Sequence, residues 1–298
     1  MPGPRPMKPP RLALIVASRG RPDCLARFAE RLGLQTRQPD RLILSVAGPE
    51  DLPATLPAGA EIVTGTAGLA AQRNRALERV LDDCELVAFF DDDFVASCHA
   101  LEGIQRIFLA WPDVVGATGR VIADGVSTSG IPLAEAEHLV DAADAAGPGD
   151  LRPRANLDGL YGCNMAFRAG AIGATRFDER LPLYGWQEDV DFAARLLPRG
   201  RLVLTHAFGG VHCGVKTGRT PGLRLGYSQV ANPVYLARKG TMRPLRSARL
   251  IAKNLIANHL RALSPEPWVD RRGRLRGNWL GLAHALSGQL DPEHVLRL

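Results

Sequence analysis

Up to Asp91, apolar residues fall into short blocks separated by polar stretches with helical spacing. Residues 11–18 (RLALIVAS) are rich in Leu, Ile and Val and end in small polar residues, the pattern of a buried strand. Pro22 and Asp23 then open a helix, on which Leu25, Phe28, Ala29 and Leu32 share one face. Residues 41–47 (RLILSVA) predict a second strand and 61–64 (EIVT) a third. A helix over 69–81 turns Leu69, Ala70, Leu77, Val80 and Leu81 inward, and 86–90 (LVAFF) predicts a fourth strand running directly into Asp91. This alternation implies an α/β fold with a mostly parallel central sheet and flanking helices. Ligands of such sheets bind beyond the carboxyl ends of the strands, where Asp91-Asp92-Asp93 stands.

The second half is less regular. Residues 114–122 and 160–168 read as strands, and 123–158 as a loop with one short helix near 133–145. A helix over 187–197 is stopped by Pro198 and Gly200, and 201–206 (RLVLTH) is a further strand. From 222 to 298 the pattern is helical and basic. Residues 1–10 hold five prolines and no apolar stretch, so they are expected to be a disordered arm rather than a signal peptide.

Composition adds little until charge is placed along the chain. Of 298 residues, 46% are hydrophobic and 23% charged, ordinary for a globular protein with a full core. The net charge of +6 is concentrated: residues 216–276 contain fourteen Lys/Arg against only Glu266 and Asp270. That segment suggests an anionic partner, such as a lipid surface, a phosphorylated acceptor or nucleic acid, although a solvated helical face has the same composition. Arg243, Arg246, Arg249 and Lys253 share a helical face, with Leu245, Ala248, Ile251, Leu255 and Ile256 on another. A basic amphipathic helix of this kind suits a peripheral membrane contact or a homo-oligomer contact. The five cysteines are scattered with no Cys-x-x-Cys, which fits free thiols and a cytoplasmic setting, peripheral at the inner membrane face if lipid is the partner. No apolar run approaches the roughly 18 residues of a membrane span.

Two acidic clusters are the candidate chemistry. Three adjacent carboxylates repel one another unless a cation is present, and a hard divalent ion takes such oxygens while bridging to phosphate. A surface turn or helix cap also uses Asp, so the triplet alone fits several classes. Glu188-Asp189 opens a helix, whose positive end favours ionised carboxylates and so a base able to take a hydroxyl proton. Helix capping would satisfy the same residues.

Five ordered pieces together resemble the family-2 glycosyltransferases: VASRGRPDCLARFAERLGLQ (16–35), GLAAQRNRAL (68–77), FFDDD (89–93), YGCNMAFRA (161–169) and WQEDVDFAARL (186–196). The resemblance spans about residues 11–240. It implies a GT-A fold, Rossmann-like, for a catalytic domain over 11–221, with 222–298 as a C-terminal helical extension. It further implies an inverting transferase acting in bacterial-type polysaccharide or glycoconjugate synthesis. The donor would be a nucleotide diphosphate-sugar, UDP being the expected nucleotide, with Mn2+ or Mg2+ as cofactor and a glycan or lipid-linked acceptor. By position, Ala17, Ser18, Arg19, Arg73, Asn74, Asp91 and Asp92 would bind the nucleotide-sugar, and Asp93 and His212 the metal. Asp189 would be the base and Glu188 would orient the acceptor, beside Gly162, Asn164 and Trp186. One departure is plain: the second strand ends Ser45-Val46-Ala47-Gly48-Pro49, where the family usually has acidic residues, and Glu50-Asp51 come later.

The competing enzyme class is a sugar nucleotidyltransferase, which would want a glycine-rich loop where Ala17-Ser18-Arg19-Gly20-Arg21-Pro22 has one glycine. A non-catalytic nucleotide-sugar-binding module is the rival outside enzymes, but it has no use for both acidic clusters. A dinucleotide enzyme lacks its Gly-x-Gly-x-x-Gly, and no aromatic interleaving or recognised module points to nucleic acid as a partner.

Overall fold

The computed structural model describes residues 8–217 and 221–298. Residues 1–7 of the expected disordered arm, and Arg219 of the basic segment, lie outside the described residues. The chain runs β1 (Leu12–Ala17), α1 (Pro22–Leu32), β2 (Arg41–Val46), β3 (Ala60–Thr64), α2 (Leu69–Leu77), β4 (Leu86–Asp91), β5 (Phe94–Ala96) and α3 (Ala100–Ala110). It continues β6 (Val114–Asp124), α4 (Leu133–Asp144), β7 (Pro153–Asn156), β8 (Asn164–Arg168), α5 (Ala169–Ile172), α6 (Glu188–Ala194) and β9 (Arg201–His212), then α7 (Gly222–Lys239), α8 (Pro244–Ala262) and α9 (Arg271–Leu286).

The central sheet has the order β3-β2-β1-β4-β8-β6-β9-β5, with β7 on β9. The parallel half is β3-β2-β1-β4, the stretch whose alternation is clear in the sequence. Beyond it the sheet is mixed: β8 lies antiparallel between β4 and β6, while β6 and β9 are parallel. Successive residues of a strand face opposite sides. Thus Leu12, Leu14 and Val16 join Leu25, Phe28, Ile104 and Phe108 in one core. Ala13 and Ile15 join Leu77, Phe89, Phe167 and Phe192 in the core on the other face. Each such large side chain contributes about 1.5–3 kcal/mol by burial.

Three differences from the sequence expectations matter for the site. The strand expected at 160–168 begins only at Asn164, because Gly162 and Cys163 form a turn. The strand expected at 201–206 runs on to His212. Gly209 and Gly210 permit this: a Cβ there would lie 2.4 Å from Arg120 O and 2.2 Å from Val95 O, so only glycine lets β6 and β5 approach β9 so closely. The helix α3 is unassigned in the sequence reading, yet its buried Ala100, Leu101, Ile104, Ile107 and Phe108 have helical spacing.

The C-terminal helices are continuous with this body. Leu236 of α7 and Met242 pack on Leu181 and Val190. Lys239 Nζ donates to Asp191 at 2.8 Å, Thr241 Oγ1 to Asp191 at 2.7 Å, and Asn232 Nδ2 to the carbonyl of Trp186 at 2.8 Å. These bonds brace the segment that carries Glu188 and Asp189.

Candidate active site

Strand pairing delivers the first cluster. β4 ends at Asp91 beside Ala17 of β1, and β5 starts directly after Asp93. Phe94 of β5 and Asp124 of β6 both stand opposite His212 of β9. His212 Nε2 therefore lies 3.4 Å from Asp93 Oδ1 and 3.9 Å from Asp91 Oδ2. Ligand atoms of Asp91, Asp93 and His212 all fall within 4.8 Å of one another. Two hard carboxylates and an imidazole in that compass form a donor set able to hold a divalent ion. Behind them, His212 Nδ1 is 3.2 Å from Asp124 Oδ1, and Tyr161 Oη donates to Asp124 Oδ2 at 2.9 Å. A carboxylate behind a ligating histidine fixes its ring and tautomer.

Electrostatics follow this packing. Burial opposes charge on His212, but hydrogen bonds with Asp124 and Asp93 outweigh it and push the imidazole up to about 10. Burial likewise opposes ionisation of Asp93, yet His212, Arg21 and the Val215 amide hold it down to about 2.

Asp92 faces the other way. Its Oδ2 accepts from Ser18 Oγ at 2.6 Å, and Arg21 Nη2 lies 2.8 Å from its Oδ1. Burial raises Asp92 to about 7, partly offset by Arg21. Arg21 also reaches Asp93 at 3.4 Å, so one guanidinium spans two of the three aspartates. Ala17 is half-buried beside Asp91, and Arg19 is exposed at the loop tip. Just after β2, which ends without acidic residues, Asp51 is buried and accepts from the amides of Gly20 (2.6 Å), Ala47 (2.9 Å) and Gly48 (3.2 Å). Its carboxylate thus closes the two loops on each other.

The second cluster reaches the first through Arg73 of α2. This buried guanidinium hydrogen-bonds Glu188, and it also donates to Asp91 Oδ1 and the Gly162 carbonyl, each at 3.0 Å. Gly162 in turn donates its N–H to Asp189 Oδ2 at 2.8 Å, while Asp189 Oδ1 takes the Val190 N–H at 2.8 Å. Asp189 is half-buried; Glu188 is buried, and its Oε2 has no hydrogen-bond partner among the described residues. Burial raises both carboxyls, against the opposing pull of Arg73. The turn before α6 is strained. Among the described non-glycine residues only Leu183 (φ 60°) and Gln187 (φ 76°) adopt left-handed backbone, on either side of the half-buried Trp186. Such conformers persist where surrounding structure enforces them.

Some expected residues stand apart. Asn74 is fully engaged with the 177–179 loop: Nδ2 donates to Phe177 O at 3.0 Å and Glu179 Oε1 at 2.8 Å, and Oδ1 accepts from Phe177 N at 2.8 Å. It borders a cavity of about 880 Å3 lined by Arg176, Asp178, Arg180 and Lys239, with no residue of either cluster in its lining. Asn164 is buried beneath the site, accepting from Thr118 Oγ1 at 2.8 Å. Asp124, Tyr161 and Arg21, by contrast, were not singled out from the sequence. Two of them carry a signal there: Arg21 in the Arg-Pro pair opening α1, and Tyr161 at the head of YGCNMAFRA.

No protein-family model matches the chain, and no curated protein matches its sequence. Solved structures do match. One is the mannosyltransferase PcManGT from Pyrobaculum calidifontis in complex with GDP-Man and Mn2+, with 16% identity and a TM-score of 0.51 over 99% of this chain and 80% of that one. The chain has the fold of a glycosyltransferase. A second is TarS from S. aureus, with 13% identity and a TM-score of 0.48 over 86% of this chain; it spans only 44% of TarS.

Proposed function

We propose that this protein is a metal-dependent, inverting glycosyltransferase that moves a sugar from a nucleotide diphosphate donor to an acceptor hydroxyl. The observation that carries this reading is the bridge made by Arg73, which hydrogen-bonds Asp91 of one acidic cluster and Glu188 of the other. A binding module needs no such union of a cation site with a separate carboxylate pair. Similarity to a mannosyltransferase solved with GDP-Man and Mn2+ supports a donor and an ion of those kinds. UDP is the nucleotide expected from the sequence resemblance.

In this reading residues 11–221 form the catalytic domain and 222–298 a helical extension. Ala17, Ser18, Arg19, Arg73, Asp91 and Asp92 bind the donor, while Gly162 and Trp186 lie on the acceptor side. Asp91, Asp93 and His212 would hold the divalent ion, which when bound would supply positive charge to the departing diphosphate. Arg21, lodged between Asp92 and Asp93, adds a permanent cation at that end. The acceptor oxygen attacks the anomeric carbon as the bond to the diphosphate oxygen breaks, and the electron pair leaves with the nucleotide. Asp189 takes the hydroxyl proton. Its two backbone hydrogen bonds fix its direction, and its raised pKa strengthens it as a base. Glu188, with Oε1 held by Arg73 and Oε2 unpartnered, offers an acceptor for a second hydroxyl.

Incubation with UDP- and GDP-sugars and Mn2+, followed by assay of nucleotide release, tests the proposal. Release of nucleoside diphosphate that rises with acceptor supports transfer. Formation of pyrophosphate instead identifies a nucleotidyltransferase, and metal-independent binding without turnover identifies a binding module.

A further inference from the structure

The helix α8 is built inside out. Its buried positions are polar: Ser247 and Asn258 face inward, and Asn254 lies half-buried between them. Asn258 Nδ2 donates to Gln229 Oε1 at 2.9 Å and Asn278 Oδ1 at 2.8 Å, and Arg271 Nη1 donates to Asn258 at 3.1 Å. Its solvent face is apolar. Leu245 is 61% exposed, Ile256 59%, Leu260 69% and, just past the helix, Leu263 87%. At about 100° per residue these four project within roughly 60° of one another. Trp279 of α9, 56% exposed, stands beside them with its Nε1 on His259 at 3.2 Å. Leu255, Ile256, His259, Leu260, Trp279 and Leu282 line one shallow groove of about 370 Å3.

Charge completes the pattern. Arg246, Arg249 and Lys253 are exposed along the same face and its flank, and none forms an ion pair with a carboxylate among the described residues. Leu250 packs on the core around Leu236 and Met242, but the fully buried positions of the inward stripe are polar and held by hydrogen bonds, so burial against the body does not explain the outward leucines. An apolar ridge edged by unpaired cations matches the acyl–headgroup boundary of an anionic membrane. Tryptophan is favoured at that depth. Among the described residues no helix is long and apolar enough to cross a membrane, so any contact of this kind is from one side.

We propose that the outer face of α8, with Trp279, is a monotopic docking surface for an anionic phospholipid bilayer. Leu245, Ile256, Leu260, Leu263 and Trp279 enter the interface, and Arg246, Arg249 and Lys253 meet lipid phosphates. It rests on α8, Leu263 and Trp279 and is independent of the proposed chemistry.

The test is flotation of the full chain with vesicles of phosphatidylcholine, with and without phosphatidylglycerol. The protein is expected to float with the anionic vesicles, to be released by high salt, and to shift its tryptophan emission to the blue. Arg246→Gln/Arg249→Gln/Lys253→Gln is expected to weaken partitioning about a hundredfold, at roughly fivefold per residue. Ile256→Glu/Leu260→Glu abolishes insertion, and both variants keep wild-type melting because the altered side chains are exposed. Binding of both vesicle types equally, binding unaffected by either variant, or no binding at all overturns the proposal. So does a dimer in light scattering that Ile256→Glu/Leu260→Glu dissociates, because the face is then a contact between copies of this chain.

Discussion

Arg73 and Glu188 form a buried ion pair between α2 and the first turn of α6. The same guanidinium holds Asp91 at 3.0 Å, so it is the joint between the two acidic clusters. Removing one partner of a buried pair leaves an uncompensated charge, at a cost of about 3–5 kcal/mol. Arg73→Met is therefore expected to lower the melting temperature by roughly 10 °C. Glu188→Gln added to that variant should cost little more, since no partner then remains to lose. Additive losses in the double variant would show that the two residues act separately.

Gly162 sits against both Asp189 and Arg73. A Cβ there would lie 3.0 Å from Asp189 Oδ2 and 3.2 Å from Arg73 Nη1, tight enough to displace the carboxylate. Gly162→Ala is expected to reduce kcat by about a hundredfold, as small misplacement of a reacting group does. Donor affinity and the melting curve should change little. A variant that loses donor affinity instead, with kcat intact, would put Gly162 on the donor side.

The metal site makes a signed prediction in pH. His212 is raised to about 10 in the metal-free protein, so it is protonated at neutral pH. A metal binds only the neutral ring and must displace that proton. Mn2+ affinity should therefore rise with pH, by up to about tenfold per unit while His212 remains protonated. Calorimetry in buffers of different ionisation heat should show a proton released on binding. His212→Ala should abolish the pH slope, and Asp124→Asn should weaken Mn2+ binding about 10–100-fold without removing a ligand. A flat affinity profile in the wild-type protein would exclude His212 from the ion.

The parallel half of the fold is legible in the sequence because each buried strand is an apolar block between helix-spaced stretches. LVAFF leading into Asp91 is the clearest case. The Glu188-Asp189 helix start is legible as well, from residue type and position. What backs the metal ligands is not. Asp124 reaches His212 only because β6 and β9 are paired in register, and no local pattern encodes a pairing across so many residues. The extension of β9 to His212 hides behind Gly209-Gly210, which read as a strand end but mark close backbone approach. Asn74 follows Arg73 in the same motif, yet the helix turns its side chain away to Phe177. On α8 the leucine and isoleucine spacing is visible, but its facing depends on the polar partners Gln229 and Asn278.

The most direct measurement compares turnover with donor binding in Asp189→Asn, using the UDP- or GDP-sugar that gives the largest Mn2+-dependent thermal shift in the wild-type protein. The account predicts donor affinity within about twofold of wild type and a loss of roughly 10²–10⁴ in nucleotide release, the span of a positioned general base. Wild-type turnover in Asp189→Asn would contradict it, because the second acidic cluster would then have no part in the chemistry.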